Sequence, residues 1–306
     1  MSETFPSRLR ATLHAPPGWE ESLLWLMQEE GWGPAVSEES YPQGLLPDEI
    51  PAVRSTDLVV LLETGAEAAF RARVAELAAD FGWPEGAWRL RFELRCDQDW
   101  EAMWRGHWRA FRCAGLVVHA PFHDLAALPL RPGDLPLQVA AGSAFGTGGH
   151  ATTRLALRVL GGWCAADLPD RLLDVGTGSG ILAVAAGLMG VGEVAGMDPD
   201  PASALQARAT AAANGLERSF FWRGALESAA GSWPAITANL QAEILQEYAP
   251  LLRSMAAPGG RLFLGGIRRR KLEATLAAFQ AAGWSPQDIG VRGRWAGTTL
   301  RAGTSN

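Results

Sequence analysis

Residues 171–186 read RLLDVGTGSGILAVAA, and this stretch decides the fold of the larger part of the chain. Two leucines end a buried strand, Asp174 follows them, and an apolar run then begins a helix. Three glycines separate the strand from the helix: Gly176, Gly178 and Gly180. Glycines let the backbone turn sharply and approach a ligand closely, and the amides at the start of a helix favour an anion. The stretch therefore predicts a strand–turn–helix unit that binds a cofactor.

The spacing of these glycines differs from the dinucleotide-binding pattern G-x-G-x-x-G. Counted from Gly176 the sixth position is Ile181, and counted from Gly178 it is Ala183, where alanine can replace the third glycine. The chain instead reads D-x-G-x-G-x-G, and in this it resembles class I S-adenosylmethionine-dependent methyltransferases. The resemblance implies that the glycines leave room for the methionine part of the cofactor. It also implies that Asp174 lies near the ammonium group, directly or through water.

Two further strands end in polar residues that fit the same site. Residues 192–201 (GEVAGMDPDP) predict a strand ending at Asp198, where an acidic side chain can accept hydrogen bonds from both ribose hydroxyls. Residues 234–252 predict a fourth strand, then Asn239, then a helix. In the resembling enzymes the tip of this strand lies beside the reactive methyl group, and many amine-methylating members carry N/D-P-P-Y/F there. This chain has Asn239 and Leu240, followed by glutamine and alanine.

A second glycine cluster precedes this unit. Residues 144–157 read AFGTGGHATTRLAL, in which glycines surround a lone histidine, His150, and two threonines lead into a helical apolar pattern. The stretch lacks the Gly-Lys-Ser/Thr that ends a phosphate-binding loop. It is therefore not a phosphate-binding loop of that kind, and the family resemblance described below implies that it closes over the cofactor with Thr153.

The first 96 residues predict a separate, ferredoxin-like α+β domain. Strand and helix periods alternate in the order βαββαβ, with strands at 8–15, within 33–40, at 57–64 and at 88–96, and helices at 18–31 and 66–82. This region holds 16 acidic against 8 basic residues. The negative charge can attract a basic partner, or the acidic residues can form a solvated surface with no partner.

Residues 97–115 are predicted to form a helical linker or hinge, and residues 116–306 a Rossmann-like, seven-stranded class I methyltransferase domain. Trp100, Trp104 and Trp108 fall four residues apart and so share one helical face. That face either packs one domain on the other or forms an aromatic wall beside the active site.

The composition excludes several classes of protein. No apolar run approaches the ~20 residues of a membrane helix, and the first ten residues have no signal-peptide core. The three cysteines, Cys96, Cys113 and Cys164, have no zinc spacing and fit a reducing compartment. The net charge is −6 with no basic stripe. We therefore predict a cytoplasmic protein with no metal site, no membrane contact and no direct nucleic-acid specificity.

Four stretches together resemble one family. DQDWEAMWRGHWRAF (97–111), AFGTGGHATTRLAL and ANLQAEILQEYAPLL (238–252), around LLDVGTGSGILAVAA, closely resemble the bacterial ribosomal-protein methyltransferases of the PrmA type. The resemblance covers essentially the whole chain. It implies S-adenosylmethionine as cofactor and the lysine side-chain or N-terminal amines of a large-subunit ribosomal protein, free or on the ribosome, as targets. It also implies that the N-terminal domain grips that substrate.

The resemblance also assigns residues to roles. The predicted cofactor-binding residues are Thr147, Gly148, Thr153, Asp174, Gly176, Gly178, Gly180, Asp198 and Asn239. The predicted catalytic residues are Asn239, Leu240 and His150. For His150, orientation of the loop or substrate and a purely structural role are both open.

The chain departs from the family pattern at three places. Ala140-Ala141-Gly142 stands where the family usually reads D/E-P-G, Ala151 follows His150 where proline or glutamate is common, and Ala235 replaces an aspartate at the start of the fourth strand. Two other functions are therefore open. One is a related methyltransferase acting on another protein, RNA or a small amine, and the other is a cofactor-binding module with little catalysis.

Overall fold

The computed structural model describes residues 7–16, 19, 23, 26–27, 30–32, 35–39, 56–96, 110–139, 151–292 and 295–303. The chain divides into two compact units, residues 1–109 and 110–306. Within the described ranges, no helix is both long and apolar enough to cross a membrane.

The first unit contains a four-stranded antiparallel sheet in the order β2-β3-β1-β4. Its elements are β1 (Ser7–Ala15), β2 (Ala35–Glu39), β3 (Thr56–Glu63), α1 (Glu67–Asp80) and β4 (Arg89–Cys96). Leu23, Leu26 and Met27, between β1 and β2, are also helical. The strand order and the helix positions agree with the ferredoxin-like arrangement predicted from the sequence.

The core of the first unit follows from the period of its strands. Alternate residues of β1 and β3 face the helices, so that Ala11 pairs with Val60 and Leu13 with Leu58, and all four are buried. Phe70 of α1, a fully buried side chain, packs into the same cluster. In β1 this alternation favours one register, because a shift by one residue would turn Ala11 and Leu13 away from the core.

The second unit begins with a small three-stranded sheet that the sequence did not predict. Its strands are β5 (Phe111–Cys113), β6 (Leu116–His119) and β7 (Leu135–Gln138). Strands β5 and β6 are antiparallel and β7 is parallel to β6. The helical linker predicted over 97–115 therefore does not reach its last residues. Ala114 and Gly115 both have positive φ, 52° and 79°, and make a tight hairpin turn that a helix cannot contain.

The main sheet of the second unit has seven strands in the order β10-β9-β8-β11-β12-β14-β13. They are β8 (Arg171–Val175), β9 (Glu193–Asp198), β10 (Ser219–Arg223), β11 (Trp233–Asn239), β12 (Ala256–Arg268), β13 (Trp284–Arg292) and β14 (Trp295–Ala302). The first five in spatial order are parallel, and β14 is antiparallel to both of its neighbours. The predicted seven-stranded Rossmann-like sheet is thereby confirmed.

Within the described part of this unit, five α-helices accompany the sheet: α2 (Ala151–Ala166), α3 (Ile181–Leu188), α4 (Pro201–Ala213), α5 (Ala242–Met255) and α6 (Leu272–Ala281). Helix α5 buries Leu245, Ala249 and Leu252, whose spacing of four and three places them on one face. Strand order reverses between β8 and β11, and ligands of such sheets bind in the crevice outside the carboxyl ends of the strands at that point. The fold therefore directs attention to the residues that end β8, β9 and β11.

Candidate functional site

The turn between β8 and α3 depends on three glycines in left-handed conformation. The φ angles of Gly176, Gly178 and Gly180 are 70°, 51° and 80°, values that side chains disfavour. A Cβ at Gly180 would also lie 2.8 Å from both Cα and Cβ of Ala207, so this glycine allows α4 to pack closely. The predicted glycine turn is present, and its shape is one that only glycine adopts freely.

Leu240 lies against this turn. A Cβ at Gly176 would collide with Cδ2 of Leu240 and would lie 3.2 Å from its Cγ. Glycine is favoured at position 176 by its φ of 70°, and the Leu240 side chain occupies the space beside it. The sequence predicts space for the cofactor at Gly176 and does not predict this contact with Leu240.

Asp198 ends β9 and is half-buried beside the turn. Its Oδ2 accepts the N–H of Gly178 at 3.0 Å, and its Oδ1 accepts the N–H of Asp200, also at 3.0 Å. An ionised carboxylate offers about four lone-pair positions, so roughly two stay available for donors on a ligand. The side chain is thus oriented by the backbone and can accept from two neighbouring hydroxyls.

Asp174 is used differently, because it is only 1% exposed and each of its oxygens accepts a hydrogen bond from a side chain of the fold. Thr237 on β11 donates to Oδ1 at 2.6 Å, and Thr177 in the glycine turn donates to Oδ2 at 2.8 Å. Burial raises the pKa of Asp174 to about 6, against the opposing effect of these two hydroxyls. The carboxyl group therefore joins β8, β11 and the turn, and neither threonine had been predicted as its partner. Contact of Asp174 with the cofactor stays a prediction.

Asn239 is the last residue of β11 and lies at the same edge of the sheet. Its Oδ1 is buried and accepts no hydrogen bond from any described residue. A buried acceptor without a donor costs about 1–3 kcal/mol, and such an atom in a folded protein calls for an explanation. The oxygen is therefore a candidate acceptor for a donor on a ligand.

Thr153 is 2% exposed and lies in the first turn of α2, a helix that packs on α3. Of the departures from the family pattern, Ala151 begins the same helix and Ala235 is fully buried on β11 beside Leu172. The other predicted residues of the glycine loop and its surroundings lie outside the described residues. These are Ala140, Ala141, Gly142, Thr147, Gly148 and His150, together with Trp100, Trp104 and Trp108.

The residues brought together at the sheet edge fit the cofactor expected from the sequence. S-adenosylmethionine carries a ribose diol, and the oriented carboxylate of Asp198 suits two hydroxyl donors. Gly176, Gly178 and Gly180 add no side chains of their own to the turn, which favours close approach of a ligand to its backbone. The unpartnered oxygen of Asn239 is a further acceptor at the same edge. Which residue meets which group of the cofactor stays a prediction.

Comparison with known proteins gives a family. Residues 9–302 match the family model described as "Ribosomal protein L11 methyltransferase (PrmA)". A protein named ribosomal protein L11 methyltransferase from Thermus thermophilus is 38% identical over 213 residues, which are 69% of this chain and 79% of the relative. One of the same name from Pelotomaculum thermopropionicum is 31% identical over 307 residues, covering 96% of this chain and 98% of the relative.

A solved structure agrees with these relatives. The crystal structure of ribosomal protein L11 methylase from Lactobacillus delbrueckii subsp. bulgaricus matches with a TM-score of 0.57 and 29% sequence identity. The match covers 61% of this chain and 95% of that one.

Proposed function

This chain belongs to the ribosomal protein L11 methyltransferase family, and we propose that it transfers methyl groups from S-adenosylmethionine to amines of ribosomal protein L11. The targets are lysine side-chain amines, the N-terminal amine, or both. One observation carries the proposal: the family model spans residues 9–302, so that both compact units are included in the match.

The cofactor, when bound, supplies a methyl group on a positively charged sulfur, and its transfer forms a C–N bond as the C–S bond breaks. The residues of the protein bind the cofactor and orient it toward the target amine. Asp198 accepts hydrogen bonds from the ribose hydroxyls, and the turn of Gly176, Gly178 and Gly180 supports the methionine part from below. Positioning of this kind, with nitrogen and methyl held in line, can supply most of the rate acceleration.

Asn239 orients the target amine or the cofactor through its side-chain amide. Its amide oxygen accepts an N–H hydrogen, which fixes the direction of the donor nitrogen and of its lone pair. The amine must be neutral to attack, and its proton passes to solvent water. Asp174 is an unsuitable proton acceptor, because its carboxyl group is buried and bonded to Thr237 and Thr177.

The setting of the reaction follows from the substrate. A ribosomal protein is made and assembled in the cytoplasm, so we place the enzyme there. The substrate is met free or on the ribosome, the N-terminal domain holds it, and RNA sequence is not read. His150, Thr147, Gly148 and Thr153 complete the site from the glycine loop.

The experiment uses labelled S-adenosylmethionine with the purified protein and three substrates: free L11, whole ribosomes and ribosomal RNA. We expect label in L11 alone, and none when Asp198→Ala replaces the wild-type enzyme. Label only in RNA, or only in another protein, would show a related methyltransferase of different specificity. Tight binding of S-adenosylhomocysteine with no label in any substrate would show a binding module and would reject the proposal.

A further inference from the structure

The end of β11 lies against two consecutive glycines of β12. Asn239 pairs with Gly265 in the parallel register of the two strands. On its other side, β12 pairs with β14 through Leu264 opposite Thr298 and Ile267 opposite Ala296, so three steps on β12 face two on β14. The extra residue makes a β-bulge at Gly265 and Gly266. Bulges of this kind are common beside active sites, where they redirect side chains.

Gly265 leaves room for the amide of Asn239. A Cβ at position 265 would lie 2.6 Å from Oδ1 of Asn239 and 3.2 Å from its Cγ. Real Cβ atoms do not approach an oxygen so closely, and the amide would have to rotate or move. The same Cβ would also lie 2.9 Å from Cε1 of Phe263.

Gly266 fixes the backbone that follows. Its φ is 75°, and a Cβ there would lie 2.8 Å from the carbonyl carbon of Leu240 and would collide with the carbonyl oxygen. Leu240 in turn fills the space left by Gly176 in the cofactor turn. The Asn239–Leu240 step is therefore held between two glycine sites, one on β12 and one in the turn.

We propose that Gly265 and Gly266 are positioning residues for methyl transfer, and that Gly265 keeps the amide oxygen of Asn239 uncovered for a ligand. This inference rests on the proposed function, since it assigns Asn239 to the reacting edge. The physical basis is that the oxygen is buried and unpartnered among the described residues, and that one added carbon at position 265 is enough to displace it.

The test is a double-mutant cycle of Gly265→Ala and Asn239→Ala, with Gly297→Ala as the matched control. The three atoms nearest to a Cβ at Gly297, on β14, would be two atoms of the Phe263 ring, at 3.0 Å, and the carbonyl oxygen of Leu264, at 3.2 Å. Gly297→Ala therefore places a methyl group close to the Phe263 ring, as Gly265→Ala does, but its nearest atoms do not include the Asn239 amide. The readouts are kcat/KM for methylation of L11, the affinity for S-adenosylhomocysteine, and the side-chain amide signals of Asn239 in a ¹H–¹⁵N NMR spectrum.

We expect Gly265→Ala to lower kcat/KM at least about tenfold, and Gly297→Ala to change it less than about threefold. In the Asn239→Ala background, Gly265→Ala should then add less than about threefold, because the group that it displaces is gone. Equal effects in both backgrounds would overturn the proposal, as they would show a general loss of structure.

The NMR readout separates this inference from the proposed function. Gly265→Ala should shift the Asn239 side-chain amide signals, and Gly297→Ala should leave them in place. If L11 is not methylated but this pattern holds, the proposed substrate is wrong and the positioning by Gly265 stands. If the Asn239 signals do not move in Gly265→Ala, the positioning is rejected whatever the substrate.

Discussion

Asn214 and Asn239 carry the same amide, and the protein uses them in opposite ways. Asn214 follows α4, and its Oδ1 accepts the N–H of Gln138 at 2.9 Å, while its Nδ2 donates to the carbonyl oxygens of Gln138 and Thr210, both at 2.7 Å. It thereby fastens the end of β7. Asn239 leaves its buried oxygen without a donor among the residues described.

The two aspartates of the sheet edge repeat the contrast. Both oxygens of the buried Asp174 are bonded to threonine hydroxyls within the fold. Asp198 is only half-buried and is held by two backbone N–H groups, which leaves acceptor positions open. The difference teaches how to separate support from function at this site. At this sheet edge the buried Asp174 joins elements of the fold, whereas Asp198 and Asn239 keep an acceptor for a ligand.

The largest effect is expected at Asp198, whose carboxylate keeps acceptor positions for a ligand. Asp198→Ala should weaken the affinity for S-adenosylhomocysteine by about 100-fold or more, because two hydrogen bonds to a charged acceptor are lost at about 1.5 kcal/mol or more each. Isothermal calorimetry measures this directly. Asp200→Ala is the control, since it removes the cap of α4 that binds the N–H of Ala202, at a cost of about 1 kcal/mol in stability, and should keep the affinity. If Asp198→Ala bound S-adenosylhomocysteine with wild-type affinity, the assignment of Asp198 to the ligand would be contradicted.

The free energy of unfolding is expected to depend on pH through Asp174, whose carboxyl group is buried. Burial raises the pKa of Asp174 to about 6 in the folded protein, above its unfolded value of 3.8, so the folded state holds the proton more tightly. This part of the stability is present at low pH and is lost as pH rises through 6. The unfolding free energy of Asp174→Asn minus that of wild type should rise by about 2 kcal/mol from pH 4 to pH 7. Urea denaturation at several pH values measures it, and a constant difference would contradict the assignment.

A smaller loss of stability is expected when the Asn214 amide, which is hydrogen-bonded within the fold, is removed. Asn214→Ala removes three hydrogen bonds of a half-buried side chain and should lower the unfolding free energy by about 1.5 kcal/mol. Asn214→Asp keeps the acceptor for Gln138 N–H but sets a carboxylate oxygen against the carbonyl oxygens of Gln138 and Thr210, so its stability should be at least as low as that of Asn214→Ala. Methyl transfer well below the melting temperature should stay within about threefold of wild type for both. A loss of activity without a loss of stability would place Asn214 with the functional groups.

The sequence predicted those parts of the site that are local in the chain. The glycine turn, Asp198 at the end of β9 and Asn239 at the end of β11 each follow from a strand that stops at a polar residue or a glycine. The seven-stranded sheet and the family were predicted from the same stretches and are confirmed. Thr147, Gly148 and His150 stay predictions.

The missed features depend on register between distant strands. Thr237 reaches Asp174 because the two residues are partners in the β11–β8 pairing, 63 positions apart in the chain. Gly265 faces Asn239 for the same reason in the β11–β12 pairing. The sheet of β5, β6 and β7 was missed because strands of three or four residues are too short to show a period.

The most direct test of the contrast is the unfolding free energy of Asn239→Ala without ligand, measured by urea denaturation beside Asn214→Ala. Removing an acceptor that has no donor within the fold should leave stability within about 1 kcal/mol of wild type, while methyl transfer to L11 falls. A loss of about 2 kcal/mol or more would mean that the fold itself uses the Asn239 amide, and would contradict its assignment to the ligand.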